Sequence, residues 1–317
     1  MFLELGGDHT HATTELSRIP VFNISNAAGK DLGAFALQPL HRGDLILIES
    51  PLFTVLNVGD GGATDQAAVL SAVKQLSSQN LQQYVSLKNA HDGNGRFRDP
   101  LSGIFATNSF DMDEHNAGIF LQASRFNHSC SPNARYSWNP EMKRFVIYAL
   151  CDIAGGDEIL VSYLSGRNVY GSTRAARQAR LARFAFKCAC VACVLQGPAA
   201  MASDSRRTEI AKLYASVPNF PPNQTRERLL AITRAIHLLQ EEGYAADYDD
   251  FTNDAAAICA YHSDWASAKY WATKTYETRV AEFGKDSVRA KEVATFLNPR
   301  SHQMAGMGRK QIFEVRL

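Results

Sequence analysis

Three cysteines within six residues, Cys188-Ala-Cys190-Val-Ala-Cys193, constrain this chain more than any other stretch of it. Thiolates at that density suit a metal better than disulfides, and four-coordinate zinc asks for a fourth donor from elsewhere in the chain. The competing reading is a group of buried free thiols. Of the other three cysteines, Cys151 and Cys259 sit on apolar segments and read as core thiols, and Cys130 lies in a polar, turn-forming stretch.

Charge narrows the function classes. Lys plus Arg total 33 against 32 Asp plus Glu, with 17 against 17 in residues 1–199 and 16 against 15 in residues 200–317. A chain so balanced has no bulk attraction to DNA or to an anionic membrane, so direct DNA binding is not expected. No apolar run approaches the roughly 20 residues that span a bilayer, and Met1 to Ser17 lacks a basic region followed by an apolar one. The expectation is an intracellular protein, cytoplasmic or nuclear or both, with no membrane partner. With 45% hydrophobic residues over 317 positions, there is enough apolar surface for one large or two ordinary domains.

Periodicity gives an α+β order of elements. Val21 to Ile24, Gly33 to Leu37 and Leu45 to Phe53 read as strands, with Arg42-Gly43-Asp44 as the turn before the last. After the Gly59-Asp60-Gly61-Gly62 breaker, Asp65 to Leu87 carries a helical stripe (Val69, Ala72, Val73, Leu76, Leu81, Tyr84), split at Ser77-Ser78. His91 to Pro100 reads as a loop, and Gly118 to Phe126 as one short helix. Strands return at Ala134 to Trp138, Phe145 to Ala149 and Glu158 to Tyr163. A helix then runs from Ser172, its N-cap, to about Phe184. Its Arg174, Arg177, Arg180 and Arg183 recur every third residue, and the reading is a solvated face rather than a site for an acidic partner.

Gln196-Gly197-Pro198 with Ala199 to Ser205 reads as a linker, and Pro218 with Pro221-Pro222 as a second break. Arg226 to Glu242, Asp247 to His262, Asp264 to Glu282 and Ser287 to Phe296 then follow as helices. Small residues around Trp265 to Ala272 suit close helical pairs of the tetratricopeptide kind, without a self-repeat of about 34 residues.

Four blocks carry chemistry. They are Gly29-Lys30-Asp31-Leu32-Gly33-Ala34-Phe35 ahead of Gly43-Asp44-Leu45; Arg125-Phe126-Asn127-His128-Ser129-Cys130-Ser131-Pro132-Asn133; Gly156-Asp157-Glu158-Ile159-Leu160-Val161-Ser162-Tyr163; and Phe186-Lys187-Cys188-Ala-Cys190-Val-Ala-Cys193. In this order and over roughly residues 20–195, the chain resembles a SET-domain protein. Within that family it is similar to the SET-and-MYND (SMYD)-like branch and its fungal relatives. The MYND finger is missing, since Pro51 to Asn108 holds no cysteine.

The resemblance implies small twisted β-sheets around a pseudoknot, with a helical insert, a zinc-bound post-SET loop and an all-α C-terminal domain. The boundaries it suggests are 18–170 for the SET domain with its insert at about 60–115, 171–196 for the post-SET helix and loop, and 200–317 for the helical, tetratricopeptide-like part. It implies an S-adenosylmethionine-dependent protein-lysine N-methyltransferase. Lys30, Asp31, Leu32, Gly33, Asn127, His128, Tyr163 and Phe186 would hold the cofactor, with Phe186 against the adenine. Tyr163 and Phe184 would line the lysine channel, the Tyr163 hydroxyl toward the methyl group. The fourth zinc ligand implied beside Cys188, Cys190 and Cys193 is Cys130, which makes a closed, structural site.

Two positions depart from the family pattern. Asp31 stands where a glycine lets the backbone approach the methionine end of the cofactor. Either its carboxylate turns outward, to the cofactor's α-ammonium or to solvent, or its charge and bulk weaken cofactor binding. Phe184 stands where a channel tyrosine is common, which removes a hydrogen-bonding group and widens the channel. These departures keep two alternatives open: a SET fold turned to cofactor-independent chemistry on an apolar small molecule, such as a biosynthetic cyclase, and a non-catalytic peptide-binding module.

Overall fold

The computed structural model describes residues 20–56, 66–93, 95–97, 99–221 and 223–317. The N-terminal stretch to Ser17 and the Gly59–Gly62 breaker lie outside the described residues.

Among the described residues, ten short strands form three small sheets. β1 (Phe22–Ala27), β2 (Asp31–Ala36), β10 (Glu158–Val161) and β7 (Asn127–His128) make the first, in the order β1-β2-β10-β7. β3 (Leu45–Glu49), β9 (Arg144–Ala149) and β8 (Ala134–Asn139) make the second, and β4 (Phe53–Leu56), β6 (Asn116–Ile119) and β5 (Ser109–Asp111) the third. The run from Leu45 to Phe53, expected as one strand, is two strands in two sheets, because Ser50-Pro51 interrupts the ladder where Pro51 has no N–H to donate. Most pairings are antiparallel. The exception is β7 beside β10, with Leu160 opposite Asn127 and Val161 opposite His128, which lays two sequence-distant blocks side by side in the same direction.

Between β4 and β5 of the third sheet the described residues include three helices: α1 (Gln66–Val73), α2 (Ser78–Val85) and α3 (Pro100–Asn108). The break expected at Ser77-Ser78 is the α2 N-cap, where the Ser77 hydroxyl accepts from the Asn80 N–H at 3.2 Å. The helix α3 is absent from the sequence reading. It starts where Asp99 accepts from the Leu101 N–H at 2.7 Å with Pro100 beside it, so a loop-like Asp-Pro pair is a helix start. The single helix expected over Gly118 to Phe126 is instead the end of β6 and a 3₁₀ turn at Ala123–Arg125. Its apolar residues point into two cores, Ile119 with the insert and Phe120, Ala123 and Phe126 with the sheets.

After α4 (Arg167–Tyr170), α5 (Arg174–Leu181) is capped by Thr173 rather than Ser172, the Thr173 hydroxyl accepting from the Ala176 N–H. The segment read as a linker is the first half of α6 (Gly197–Ser216). Pro198 occupies the first turn, where its missing N–H costs nothing, and Gly197 takes a φ of +55° that frees the chain to enter the helix. Then come α7 (Thr225–Glu241), α8 (Asp249–Tyr261), α9 (Trp265–Phe283) and α10 (Val288–Ala294), each within a few residues of its expected span. Small side chains let the α8–α9 hairpin close tightly, with Ala255, Ala256, Cys259, Ala268 and Ala272 buried and Thr275 donating to the Thr252 hydroxyl at 2.9 Å. Asp264 caps α9 and accepts from the Phe313 N–H at 3.0 Å, and Trp271 Nε1 donates to the Val315 carbonyl at 3.1 Å, so the C-terminal tail lies on this hairpin. No helix among the described residues is long and apolar enough to cross a membrane.

The helical region is fastened to the second sheet by buried charge. Arg135 on β8 donates to Asp247 Oδ1 at 2.5 Å and to Glu282 Oε2 at 2.7 Å, and its guanidinium lies 4.7 Å from the Phe283 ring centre. Glu282 is fully buried; burial pushes its carboxyl up against the opposite pull of Arg135. Arg135→Ala leaves two carboxylates without their cation and is expected to cost about 3–5 kcal/mol in urea unfolding, with part of the loss recovered in Arg135→Lys.

Candidate functional site

The parallel β7–β10 pair places the site. Asn133 holds the register: its N–H donates to the Leu160 carbonyl at 3.1 Å, its Oδ1 accepts from the Leu160 N–H at 2.7 Å, and its Nδ2 donates to the Glu158 carbonyl at 3.0 Å. Ser129 N–H adds a bond to the Val161 carbonyl at 2.8 Å. With the two strands locked, Asn127 is set against β2 and Glu158, and His128 against Tyr163.

Asn127 Nδ2 donates to the Leu32 carbonyl at 2.9 Å and to Glu158 Oε1 at 2.8 Å, while Lys30 Nζ donates to Glu158 Oε2 at 2.6 Å. This network ties β2, β7 and β10 together, and Gly33 is what lets it close. A Cβ at Gly33 would lie 2.7 Å from Glu158 Oε1 and 2.9 Å from Asn127 Nδ2. Of the three residues just before Gly33, Lys30 pairs with Glu158, Asp31 with Lys88 at 2.8 Å, and Leu32 is exposed to solvent. Asp31 itself has a φ of +66°, the left-handed region that glycine takes freely and Asp tolerates better than most. Its carboxylate is 72% exposed and turns outward, with Lys88 as its partner.

His128 is buried, and its Nδ1 accepts from the Tyr163 N–H at 2.9 Å, so the ring proton sits on Nε2, 3.3 Å from Cys130 Sγ. Burial pushes His128 down to about 4, which keeps the ring neutral near pH 7. Tyr163 donates its hydroxyl to the Phe126 carbonyl at 2.9 Å. Its ring centre lies 5.3 Å from that of His128, 5.0 Å from Phe184 and 6.2 Å from Phe186. Phe186 is 38% exposed and offers an open aromatic face. Phe184 is covered by Arg183, whose guanidinium carbon is 4.7 Å from the ring centre.

Next to this cluster the four thiols meet. The Sγ atoms of Cys130, Cys188, Cys190 and Cys193 all lie within 4.8 Å of one another, with Cys130 and Cys193 at 3.6 Å. A tetrahedron of sulfurs about 2.3 Å from zinc has edges of about 3.8 Å, so the donor set and its spacing are compatible with that ion. The surroundings suit negative charge: the Cys130 N–H points at Cys190 Sγ at 3.3 Å and Arg177 Nη2 at Cys193 Sγ at 3.8 Å. Hydrogen bonds from the side chains of Cys130, Cys188 and Cys193 hold Cys190 far below the usual thiol range. Of the remaining thiols, Cys259 is fully buried and Cys151 half-buried.

The arginine row of α5 is corrected here. Arg180 and Arg183 face outward, but Arg177 is fully buried against the thiols, its Nη1 donating to the Ser172 carbonyl and its Nε without a partner among the described residues. Arg174 Nη1 donates to the Leu195 carbonyl at 2.7 Å. Gln178 clamps Cys188 from both sides, Nε2 to its carbonyl at 2.7 Å and Oε1 from its N–H at 3.0 Å. A periodic cationic row looks solvated in sequence; a thiolate cluster beside it makes burial of one guanidinium affordable. Glu158, Lys88 and Gln178 are neighbours to which sequence reasoning gave no role, and Arg177 is one it placed on a solvated face. Only Glu158 carried a signal, as a charged residue inside the Gly156-Asp157-Glu158 block.

Residues 31–164 match the family model described as SET domain. Over 289 residues the chain is 29% identical to the histone-lysine N-methyltransferase set5 of Schizosaccharomyces pombe, covering 90% of this chain and 86% of that protein. Shorter matches join it to the protein-lysine N-trimethyltransferase SMYD5 of Mus musculus, 36% identical over 93 residues, 29% of this chain and 22% of the relative. That of Danio rerio is 35% identical over 80 residues, 25% of this chain and 19% of the relative. The three small sheets, the parallel β7–β10 pair and most of the residue blocks around it lie within or beside the stretch that matches the SET-domain model, and over residues 31–164 the chain is similar to that family.

Proposed function

We propose that this protein is an S-adenosylmethionine-dependent protein-lysine N-methyltransferase. The observation that carries this reading is the cluster of His128, Tyr163 and Phe186 at the β7–β10 pair, with Asn127 bonded to the neighbouring β2, in a chain alike over most of its length to one named a histone-lysine methyltransferase. The residues fit such a cofactor. The exposed Phe186 ring offers a stacking face for a nucleoside base, and Gly33 permits the close packing of Asn127 and Glu158 against β2.

The cofactor would supply an activated methyl group, leaving the protein to position a neutral amine and keep water out. Tyr163 and Phe184 form the apolar, aromatic side of the channel, and such surroundings disfavour the charged form of an entering lysine ammonium. The Tyr163 hydroxyl, held by the Phe126 carbonyl, presents its remaining lone pairs in a fixed direction and can accept a hydrogen bond from that amine. His128 acts one step back: neutral and bonded to the Tyr163 N–H, it orients the tyrosine backbone rather than moving a proton.

Zinc is the metal this reading places on Cys130, Cys188, Cys190 and Cys193. A site of four thiolates has no open position, so its role is to fasten the loop that bears Phe186. The substrate class is a protein lysine. The relative's name makes histone tails the first to test, and an intracellular location, cytoplasmic or nuclear, goes with the proposal.

The zinc-loaded protein is expected to bind S-adenosylmethionine in isothermal titration and to transfer a labelled methyl group to a lysine peptide. No binding, or binding without transfer to any protein lysine, would end the enzymatic reading. Tyr163→Phe is expected to lower kcat by about 10²-fold or more with cofactor affinity nearly unchanged, as for loss of a positioned polar group in a transition state. Elemental analysis should find one zinc per chain, and its removal by chelator should release Phe186 and weaken cofactor binding while the helical region stays folded by circular dichroism.

A further inference from the structure

The end of α2 forms a wall beside β2 that none of the four sequence blocks contains. Two ties hold the segment Ser86–Lys88 there. Arg125, two residues ahead of Asn127, donates to Ser86 Oγ at 2.7 Å and to the Ser86 carbonyl at 3.3 Å. The Lys88 carbonyl accepts from Asn108 Nδ2 at 2.7 Å, and its ammonium reaches Asp31 Oδ2 at 2.8 Å.

The cations on this rim are not equivalent. Lys30 is engaged by Glu158, whose side chain is only 18% exposed, and Arg125 by Ser86. Lys88 is paired with an open carboxylate, and the two side chains are 68% and 72% exposed. An ion pair so hydrated is weak, and an ammonium has three donors, of which Asp31 uses one. Asp31 sits one residue from Leu32, whose carbonyl accepts from Asn127. On the reading above, the methionine end of the cofactor lies along these residues, and its carboxylate comes close to the acid that replaces a glycine. Repulsion there would oppose binding unless a cation stood nearby.

Resting on that reading, we propose that Lys88 is a cofactor-binding residue: its ammonium, shared with Asp31, takes the carboxylate of the cofactor's methionine end and offsets the charge of Asp31. The helical insert thereby contributes directly to the cofactor site, and the Asp31 departure is matched by a residue 57 positions away.

Titrations with S-adenosylhomocysteine and with 5′-methylthioadenosine, which lacks the amino-acid end, separate charge recognition from packing. Lys88→Met is expected to weaken S-adenosylhomocysteine about tenfold, the usual size of a lost charge-assisted hydrogen bond, and to leave 5′-methylthioadenosine unchanged. Asp31→Asn should bind S-adenosylhomocysteine at least as well as wild type, and the double variant should recover most of the loss. Added salt should weaken the wild type more than Lys88→Met. Both positions are exposed, so thermal melts of the variants should match the wild type. Unchanged S-adenosylhomocysteine affinity in Lys88→Met, or an equal loss for both ligands, overturns the proposal alone. Failure of the wild type to bind either ligand would remove the methyltransferase reading and this proposal with it.

Discussion

Cys130 is where the parts of this molecule are joined. It follows β7, so its backbone direction is set by the parallel pairing with β10, and its side chain is fully buried among the thiols of the 188–193 loop. Its carbonyl faces the third partner: Arg207 on α6 directs both terminal nitrogens at it, each at 3.4 Å, and donates to the Val169 carbonyl at 3.0 Å. Arg207 is in turn neutralised by Glu242 at 2.7 Å, which also accepts from Ser203 and Arg206. Sheet, 188–193 loop and helical region therefore meet within a few ångströms of one residue. An error in any of the three would displace Asn127 and His128 directly upstream.

Buried guanidinium groups recur at these junctions. Arg135 joins the second sheet to α9, Arg177 stands against the thiols, and Arg207 holds the Cys130 carbonyl. Each is desolvated, so each needs anions or carbonyls on several sides, and the planar fork of arginine can address several acceptors at once where lysine cannot. The arrangement makes the helical region part of the site's scaffold. The core that contains Cys130, Cys188 and Cys193 runs without interruption into Leu229, Ile232, Phe251 and Trp271. The site side chains differ from these struts: Phe186 and Asp31 are accessible, as a surface that receives a ligand must be.

Much of the site was legible from residue types in order. The blocks at Asn127, Glu158 and Cys188 announce themselves because each has chemistry that ordinary loops do not need, and the helices after Thr225 follow a plain apolar period. The errors came where local signals are ambiguous. Gly197-Pro198 is as consistent with a linker as with a helix start, and the apolar residues of Gly118 to Phe126 serve two cores, which periodicity reads as one helical face. The α5 arginines looked solvated because a sequence does not show which neighbours will desolvate them.

By itself the sequence determined the cysteine cluster and the order of its four blocks, and the resemblance those blocks carry implied the fold class, Cys130 as fourth thiol and most of the residues placed at β7 and β10. The tertiary structure decided the pairings among residues far apart in the chain: Lys88 with Asp31, Glu158 between Lys30 and Asn127, and Arg207 on the Cys130 carbonyl. It also decided that Asp31 turns outward. These outcomes rest on the register of one parallel strand pair and on which charges become buried together. Both are set by the whole chain packing at once, because the cost of desolvating a charge depends on every group that surrounds it.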